Sequence, residues 1–391
     1  MNSAASRPKP FRLIVTGGGT GGHTYPALTA IRTLQARLAA DGGTLDVLWI
    51  GTEDGLEARV APAEGIPFTT VATGKIRRSS NPLKMVSPAN VRDMARVPLG
   101  VAQARKIVSD FRPDVVLATG GYVAVPAGLA ARMCRRPLVL HEQTVRLGLA
   151  NRKLASSATR IAVSSESTLP LLPDSVRDVA VVTGNPVRPE VLTGHSGKAV
   201  EALGLNGFDR HLPTLYVTGG AQGAKQINDV VRDVLPWLLE RTNVIHQCGP
   251  SHVDGLHQHA ATLPAHLAGR YYLTGFVGPE IPDVLALADV VISRSGAGTL
   301  AEVTALGKPA VFIPLATSAG NEQAHNARHL HDAGAAVALL GEVSVQALSD
   351  ALGPLLTDPT RREAMAENAR AHGRPDAADR LVDVLMAAAA G

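Results

Sequence analysis

Aromatic side chains are scarce in this chain: six Phe, five Tyr and two Trp make up 3% of its 391 residues. Its cores must therefore be built from Ala, Val, Leu and Ile rather than from large aromatic anchors. The same scarcity argues against a surface of stacking platforms for single-stranded nucleic acid, and no recognised nucleic-acid motif is present. Cysteine is scarcer still. Cys134 and Cys248 stand 114 positions apart, which suits neither a disulfide framework nor a zinc site, and they read as two reduced thiols. No run approaches the ~18 consecutive apolar residues that a spanning helix needs, so any membrane contact is expected to be peripheral. Residues 1–10, MNSAASRPKP, lack the apolar stretch of a signal peptide.

What is present suits a soluble protein of two domains. Hydrophobic residues make up 45% and charged residues 18%, and 391 residues exceed the ~250–300 at which one core stops growing. The net charge of +4 hides an asymmetry. Residues 1–190 carry 24 Lys and Arg against 14 Asp and Glu, whereas residues 191–391 carry 14 against 20. A basic half beside an acidic one suits contact with an anionic surface or substrate, and equally suits plain solubilising charge.

One local unit recurs: an unbroken apolar strand, a glycine-rich turn, then a helix. The strand 12–16 leads into GGGTGGH and a helix opened by Pro26, a residue suited to a first helical turn. The strand 115–118 leads into Thr119-Gly120-Gly121-Tyr122, the strand 215–218 into GGAQGA at 219–224, and the strand 290–293 into RSGAGT at 294–299. Short β-branched runs without alternation are the pattern of parallel strands buried on both faces. The expected fold class is α/β, with two Rossmann-like doubly wound domains facing a cleft lined by all four turns. The boundary is placed in Gly184-Asn185-Pro186-Val187-Arg188-Pro189, giving domains 1–186 and 187–374, with a final helix over 375–391 that packs back on the first.

Gly17, Gly19 and Gly22 match G-x-G-x-x-G, but the acidic residue that a dinucleotide site needs ~20 positions on is missing. The nearest candidates, Glu53 and Asp54, come more than 30 positions after Gly22. No G-K-[ST] ending makes this a Walker A loop either. What remains is general: glycines let a backbone approach a phosphate at a helix amino end.

Six segments together carry more. GGGTGGHTYP at 17–26, Gly120-Gly121-Tyr122, His141-Glu142-Gln143, GNPVR at 184–188, GGAQGA at 219–224 and RSGAGTLAE at 294–302 resemble the MurG family in order from about residue 12 to about 334. These are the UDP-GlcNAc:undecaprenyl-pyrophosphoryl-MurNAc-pentapeptide GlcNAc transferases. The resemblance implies the glycosyltransferase-B fold, an inverting mechanism, no nicotinamide, and a place at the cytoplasmic face of the cell membrane. The partners it implies are UDP-GlcNAc and a polyprenyl-pyrophosphate-linked MurNAc-peptide.

Carried over by motif, Thr20, Gly21 and Gly22 line the site near the donor phosphates and sugar, and Arg188 contacts the donor. From the residues alone, Arg188 reads as a surface arginine in a proline-rich loop. Ala221 and Gln222 lie in the turn implied to bind the pyrophosphate. The family commonly has serine where this chain has Ala221, which removes one hydrogen bond of roughly 0.5–1.5 kcal/mol. Ala297, Gly298 and Thr299 close over the donor, and Glu302 accepts the ribose hydroxyls, although a first-turn carboxylate also complements a helix dipole. Val277 stands where the family's backbone reads the uracil edge. Gln323 is implied to contact GlcNAc hydroxyls, with Glu322 replacing the family's first glutamine. Thr144 replaces the asparagine of His-Glu-Gln-Asn.

His23 follows the first glycine turn. Imidazole titrates near neutrality, which suits a general base removing the acceptor's hydroxyl proton. Capping a helix or bridging phosphates is the alternative for His23, and Glu142 or His141 the alternative base. No D-x-D pair exists, so no essential metal and no cofactor are expected, with a divalent ion stimulating at most. Residues 75–106 hold eight basic side chains and one acid, with Ile76, Leu83, Met85 and Val86 between them. That mixture suits docking on an anionic membrane surface, or a solvated loop and helix. Nucleic acid is not expected as a partner. Three rivals stay open: a nicotinamide-dependent oxidoreductase, a UDP-GlcNAc 2-epimerase of the same fold, and a non-catalytic nucleotide-sugar binding protein.

Overall fold

The computed structural model describes residues 9–74, 88–318 and 321–391. Contacts divide the chain into two units, Met1–Pro186 with Asp376–Gly391, and Val187–Pro375.

The first unit is built on seven strands: β1 Phe11–Thr16, β2 Leu45–Gly51, β3 Phe68–Thr70, β4 Val115–Ala118, β5 Leu138–Glu142, β6 Arg160–Val163 and β7 Ala180–Val182. Their order is β3-β2-β1-β4-β5-β6-β7, and every pairing is parallel. Burial on both faces explains the unbroken apolar runs. Leu13, Val15, Leu117 and Val139 face one core with the helices Gly21–Ala40 and Ala377–Ala390. Ile14, Val116, Leu138 and Leu140 face the other with Ala104 and Val108 of the helix Pro88–Phe111 and with the helix Ala124–Met133.

The second unit has six strands: β8 Thr214–Thr218, β9 Asn243–Gln247, β10 Tyr271–Thr274, β11 Val290–Ser293, β12 Ala310–Phe312 and β13 Val337–Ala338. They run β10-β9-β8-β11-β12-β13, again all parallel. The helix Lys225–Leu239 buries Ile227, Val230, Val231, Val234, Leu235 and Leu238, a stripe at helical spacing laid on Leu215 and Val217.

Both units are therefore doubly wound α/β sheets, with the strand order reversing at β1/β4 in one and β8/β11 in the other. Ligand crevices form at the carboxyl ends of strands at such switch points. All four glycine turns lie there.

One local expectation fails. The first helix begins at Gly21, not Pro26, with extended Thr20 as its N-cap residue. The glycine turn already points the chain into the helix, so Thr20 carbonyl accepts from both His23 and Thr24 and the proline falls in the second turn. Both cysteines are free. Among the described residues, no helix is long and apolar enough to cross a membrane. Of the basic segment 75–106, residues 75–87 lie outside the described residues, and Lys106 pairs with Asp110 at 2.6 Å.

Candidate active site

In the first unit the turn after β1 is held from two sides. The indole of Trp49, on β2, donates to Gly17 carbonyl at 3.1 Å. The fully buried carboxylate of Glu57 accepts from Gly19 N–H at 2.7 Å and from the N–H and hydroxyl of Thr52, each at 2.9 Å. A Cβ on Gly18 would lie 2.0 Å from the Glu57 carboxyl carbon, and Cβ atoms on Gly51 and Gly55 would strike the same side chain. Sequence reasoning missed Glu57. The signal was three glycines that fold around one glutamate, and only the structure brings them together. Beyond this clamp, Thr20 and Gly22 are exposed and Gly21 is half-buried at a helix amino end without a side-chain cap, a place where N–H groups stay available to an anion.

The turn after β4 and the end of β5 supply the rest. Gly120, at φ +108°, leaves room for the His23 ring: a Cβ there would lie 2.9 Å from His23 Cε1. The hydroxyl of Thr119 donates to His23 carbonyl at 2.9 Å, and His23 Nδ1 lies 3.1 Å from Gln143 Oε1. Gln143, buried and known from the sequence only as part of His141-Glu142-Gln143, donates through Nε2 to Thr119 carbonyl at 2.9 Å, and that nitrogen lies 3.0 Å from His141 Nδ1. His141 is fully buried, with Nε2 3.1 Å from Gly184 carbonyl. Burial, opposed by that hydrogen bond and assisted by the nearby His23, pushes its pKa down to about 4.

Glu142 has a different setting. It is buried, and its oxygens accept from Thr144 N–H, the Thr144 hydroxyl, Gly148 N–H and Asn151 Nδ2 at 2.7–3.2 Å. Four donors around one carboxylate hold the loop that follows β5. The Thr144 hydroxyl also lies 2.7 Å from Arg146 carbonyl, so its one proton is shared between two acceptors inside the loop.

In the second unit, Gly219 permits the turn 219–224 to fold back, since a Cβ there would meet Ala224 N at 2.3 Å. Ala221 and Gln222 are exposed, and the helix after them starts at Lys225 without a side-chain cap. The helix Ala297–Ala305 likewise starts uncapped, with Ala297, Gly298 and Thr299 half-buried in its first turn. Arg188 and Glu302 meet each other: Arg188 Nε and Nη2 lie 3.0 and 2.8 Å from Glu302 Oε1. That leaves Glu302 Oε2 as the oxygen turned from the guanidinium. Gln323 commits its Oε1 to Leu315 N–H at 2.9 Å, so its Nε2 donors are what it can offer a sugar. Val277 N–H donates to Gln247 Oε1 at 3.0 Å. Buried Gln247 also donates to Thr218 Oγ1 and Gly220 carbonyl, tying Val277 to the turn 219–224.

Beneath that turn, His246 Nε2 lies 3.1 Å from Asn228 Oδ1 and Nδ1 lies 3.0 Å from the Tyr271 hydroxyl, while Asn228 Nδ2 donates to Cys248 carbonyl. Burial pushes the His246 pKa down to about 3. His141 and His246 are thus both neutral when folded, and both bind a proton near pH 6.5 when unfolded. Their stabilisation is complete above pH 6.5 and is lost as pH falls toward 4, by about 3 kcal/mol each. Urea midpoints followed separately in the two units at pH 7.5 and 4.5 should both fall, and pH-independent midpoints would contradict the assignment. Among the described residues no group of three or more His, Cys, Asp or Glu is placed to hold a metal ion.

Residues 13–163 match the glycosyltransferase family 28 N-terminal domain, and residues 214–381 its C-terminal domain. Over 379 residues the chain is 36% identical to the UDP-N-acetylglucosamine–N-acetylmuramyl-(pentapeptide) pyrophosphoryl-undecaprenol N-acetylglucosamine transferase of Listeria welshimeri, covering 96% of this chain and 99% of that one. The chain belongs to the MurG family. The crystal structure of MurG from Acinetobacter baumannii superposes with a TM-score of 0.76 at 28% identity, covering 97% of this chain and all of that one. A UDP-GlcNAc 2-epimerase from Neisseria meningitidis, solved with UDP-GlcNAc bound, gives a TM-score of 0.65 at 16% identity over 96% of this chain and 99% of that one. At that identity the epimerase shares the fold alone. With the MurG match, it places both units in the glycosyltransferase-B class.

Within a MurG-family chain, Ala221 is a departure with a measurable expectation. On the pyrophosphate role that the resemblance implies for the turn 219–224, Ala221→Ser should add one hydroxyl contact and tighten UDP-GlcNAc binding roughly threefold to tenfold. Titration calorimetry decides it, and unchanged affinity would mean that the backbone of the turn suffices.

Proposed function

We propose that this chain transfers GlcNAc from UDP-GlcNAc to the C4 hydroxyl of MurNAc in undecaprenyl-pyrophosphoryl-MurNAc-pentapeptide, converting lipid I to lipid II. The observation that carries this is family membership along 96% of the chain, with the family's motif residues at the carboxyl ends of the strands of both units.

The first unit receives the acceptor. His23 removes the C4 hydroxyl proton, and the oxygen attacks the anomeric carbon of GlcNAc from the face opposite UDP. The bond from that carbon to the β-phosphate oxygen breaks, the electron pair leaves with UDP, and the new linkage is β. The second unit holds the donor. Backbone N–H groups of the turn 219–224 and the amino end of the helix Ala297–Ala305 receive the diphosphate, where preorganised dipoles stabilise the charge developing on UDP. Glu302, held by Arg188, accepts ribose hydroxyls through Oε2. Gln323 donates to the sugar, and the backbone at Val277 meets the uracil edge. No metal bridges the diphosphate, so EDTA should leave turnover largely intact, with a divalent ion at most stimulating. The basic segment 75–106 docks the chain on the anionic cytoplasmic leaflet.

The test follows UDP release and disaccharide product from UDP-GlcNAc and a polyprenyl-pyrophosphoryl-MurNAc-peptide analogue, with a parallel reaction lacking acceptor. Acceptor-dependent release with a β-linked product is expected. Turnover of UDP-GlcNAc without acceptor would move the reading to an epimerase. Binding without any turnover would leave a nucleotide-sugar binding protein.

A further inference from the structure

We infer that Gln143 is a positioning residue that fixes the tautomer of His23, placing the ring proton on Nδ1 and the lone pair on Nε2. This rests on the reading of His23 as general base and adds the part played by Gln143.

Which atoms can donate fixes the arrangement. Gln143 Nε2 lies 2.9 Å from Thr119 carbonyl and 3.1 Å from His141 carbonyl. Carbonyl oxygens accept and never donate. The nitrogen end of the amide must therefore face them, because a flipped amide would set Oε1 against two other oxygens. With the amide so oriented, Oε1 faces His23 Nδ1 at 3.1 Å. An amide oxygen has no proton to give, so Nδ1 must carry the hydrogen. In the neutral ring, Nε2 is then the basic nitrogen.

The far end of the chain is fixed in the same way. His141 Nε2 faces Gly184 carbonyl, another pure acceptor, and so carries its proton. His141 Nδ1 is left with a lone pair, which receives Gln143 Nε2–H at 3.0 Å. Every donor meets an acceptor from Gly184 to His23. The two Gln143 Nε2 protons serve three acceptors, Thr119 carbonyl, His141 carbonyl and His141 Nδ1, so one is shared, whereas a flipped amide would satisfy neither carbonyl. Burial keeps His141 neutral near pH 7. An imidazole without this partner exchanges between its two tautomers. The one with the proton on Nε2 cannot take the substrate's proton from that side, since which nitrogen carries the proton follows from the bond made by the other. Glu142 takes no part, because its oxygens are held by Thr144, Gly148 and Asn151.

Long-range proton–nitrogen spectra of the full chain labelled with 15N-histidine test this directly. The His23 signals are identified as those absent from His23→Gln. In the unaltered protein at pH 8, His23 should show a protonated Nδ1 and a pyridine-type Nε2 shift. A protonated Nε2 would overturn the proposal, and this measurement needs no variant to fold. In Gln143→Met, His23 should move toward the Nε2-protonated form. The kcat for acceptor-dependent UDP release should fall about tenfold or more, with the KM for UDP-GlcNAc within about twofold of normal. An unchanged His23 tautomer in a folded Gln143→Met would likewise overturn it. If His23→Ala keeps its turnover, the general-base reading falls. The spectra still decide the tautomer on their own.

Discussion

Replacing His23 with alanine should lower kcat for acceptor-dependent UDP release by a factor of about 10² to 10⁴, the span that a well-placed general base contributes. The expectation is large because the ring is built into place rather than merely nearby. Its backbone carbonyl is held by the Thr119 hydroxyl, its Nδ1 by Gln143, and one face lies against the bare backbone of Gly120. Loss of the side chain leaves Oε1 of buried Gln143 without its partner, so the variant should stay folded and melt a few degrees below the parent. Affinity for UDP-GlcNAc, measured by calorimetry, should change less than threefold, since apart from the backbone of Thr20, Gly21 and Gly22 the groups assigned to the donor belong to the other unit. A kcat within threefold of normal at saturating substrates would end the general-base assignment. Glu142 would not inherit it without rearrangement, because four donors already surround its carboxylate.

Glu302→Ala should act on the donor instead. Removing the carboxylate takes away the acceptor proposed for the ribose and leaves Arg188 without its partner. The KM for UDP-GlcNAc should rise at least tenfold, the scale of losing a charge-assisted hydrogen bond. An unchanged KM would leave Glu302 only the role of holding Arg188, since it stands in the second turn of the helix Ala297–Ala305, past the first turn where a carboxylate complements the dipole.

The division between what was legible in the sequence and what was not follows from the range of the interactions. Strands such as Val115–Ala118 and Val290–Ser293, and the glycine turns behind them, are local signals: hydrophobicity without alternation and small residues where the chain must turn. Gln143, Gln247, His246, Glu57 and Trp49 are a different kind of residue. Each is a polar or large side chain with a partner far along the chain, even where a near neighbour also contributes, as Thr52 does for Glu57 and His141 for Gln143. Their partners lie 18 to 32 positions away in the cases of His246 with Asn228, Gln247 with Val277 and Trp49 with Gly17. The same holds for Gln143 and His23, 120 positions apart. Motif resemblance singled out residues that the structure sets at the carboxyl ends of the strands of each unit. The residues that hold those in place became visible only when the sheet set strand ends side by side. The pairing of Arg188 with Glu302 shows this most clearly: two positions assigned separate ligand contacts turn out to orient one another.

A chain ending at Pro375 should lose the first unit and keep the second. The final helix Ala377–Ala390 is the last segment in sequence, yet it packs in the first unit's core. Leu381, Val382 and Leu385 are fully buried there, beside Leu13, Val15, Ile31 and Leu34. Arg37 ties the helix from outside through Asp379 at 2.8 Å and through Asp383. Each buried aliphatic side chain contributes about 1.5–3 kcal/mol. Losing several, together with the cover over one face of the sheet, removes an amount comparable with the about 5–15 kcal/mol of a whole domain. The exposed ion pairs add little to that. Hydrogen exchange should therefore show β1 and β4 unprotected in the truncated chain while β8 and β11 keep their protection, and acceptor-dependent turnover should vanish. The point variant Leu385→Asp, which keeps the chain length, should reproduce the pattern by placing a charge in the same core. Residues 1–186 produced alone should fail to fold cooperatively, and joining 376–391 to them through a flexible linker should restore a single melting transition. A truncated chain with parental protection in β1 and β4 would show that the sheet sustains itself with one face uncovered, and the helix would then be an accessory rather than a part of that core.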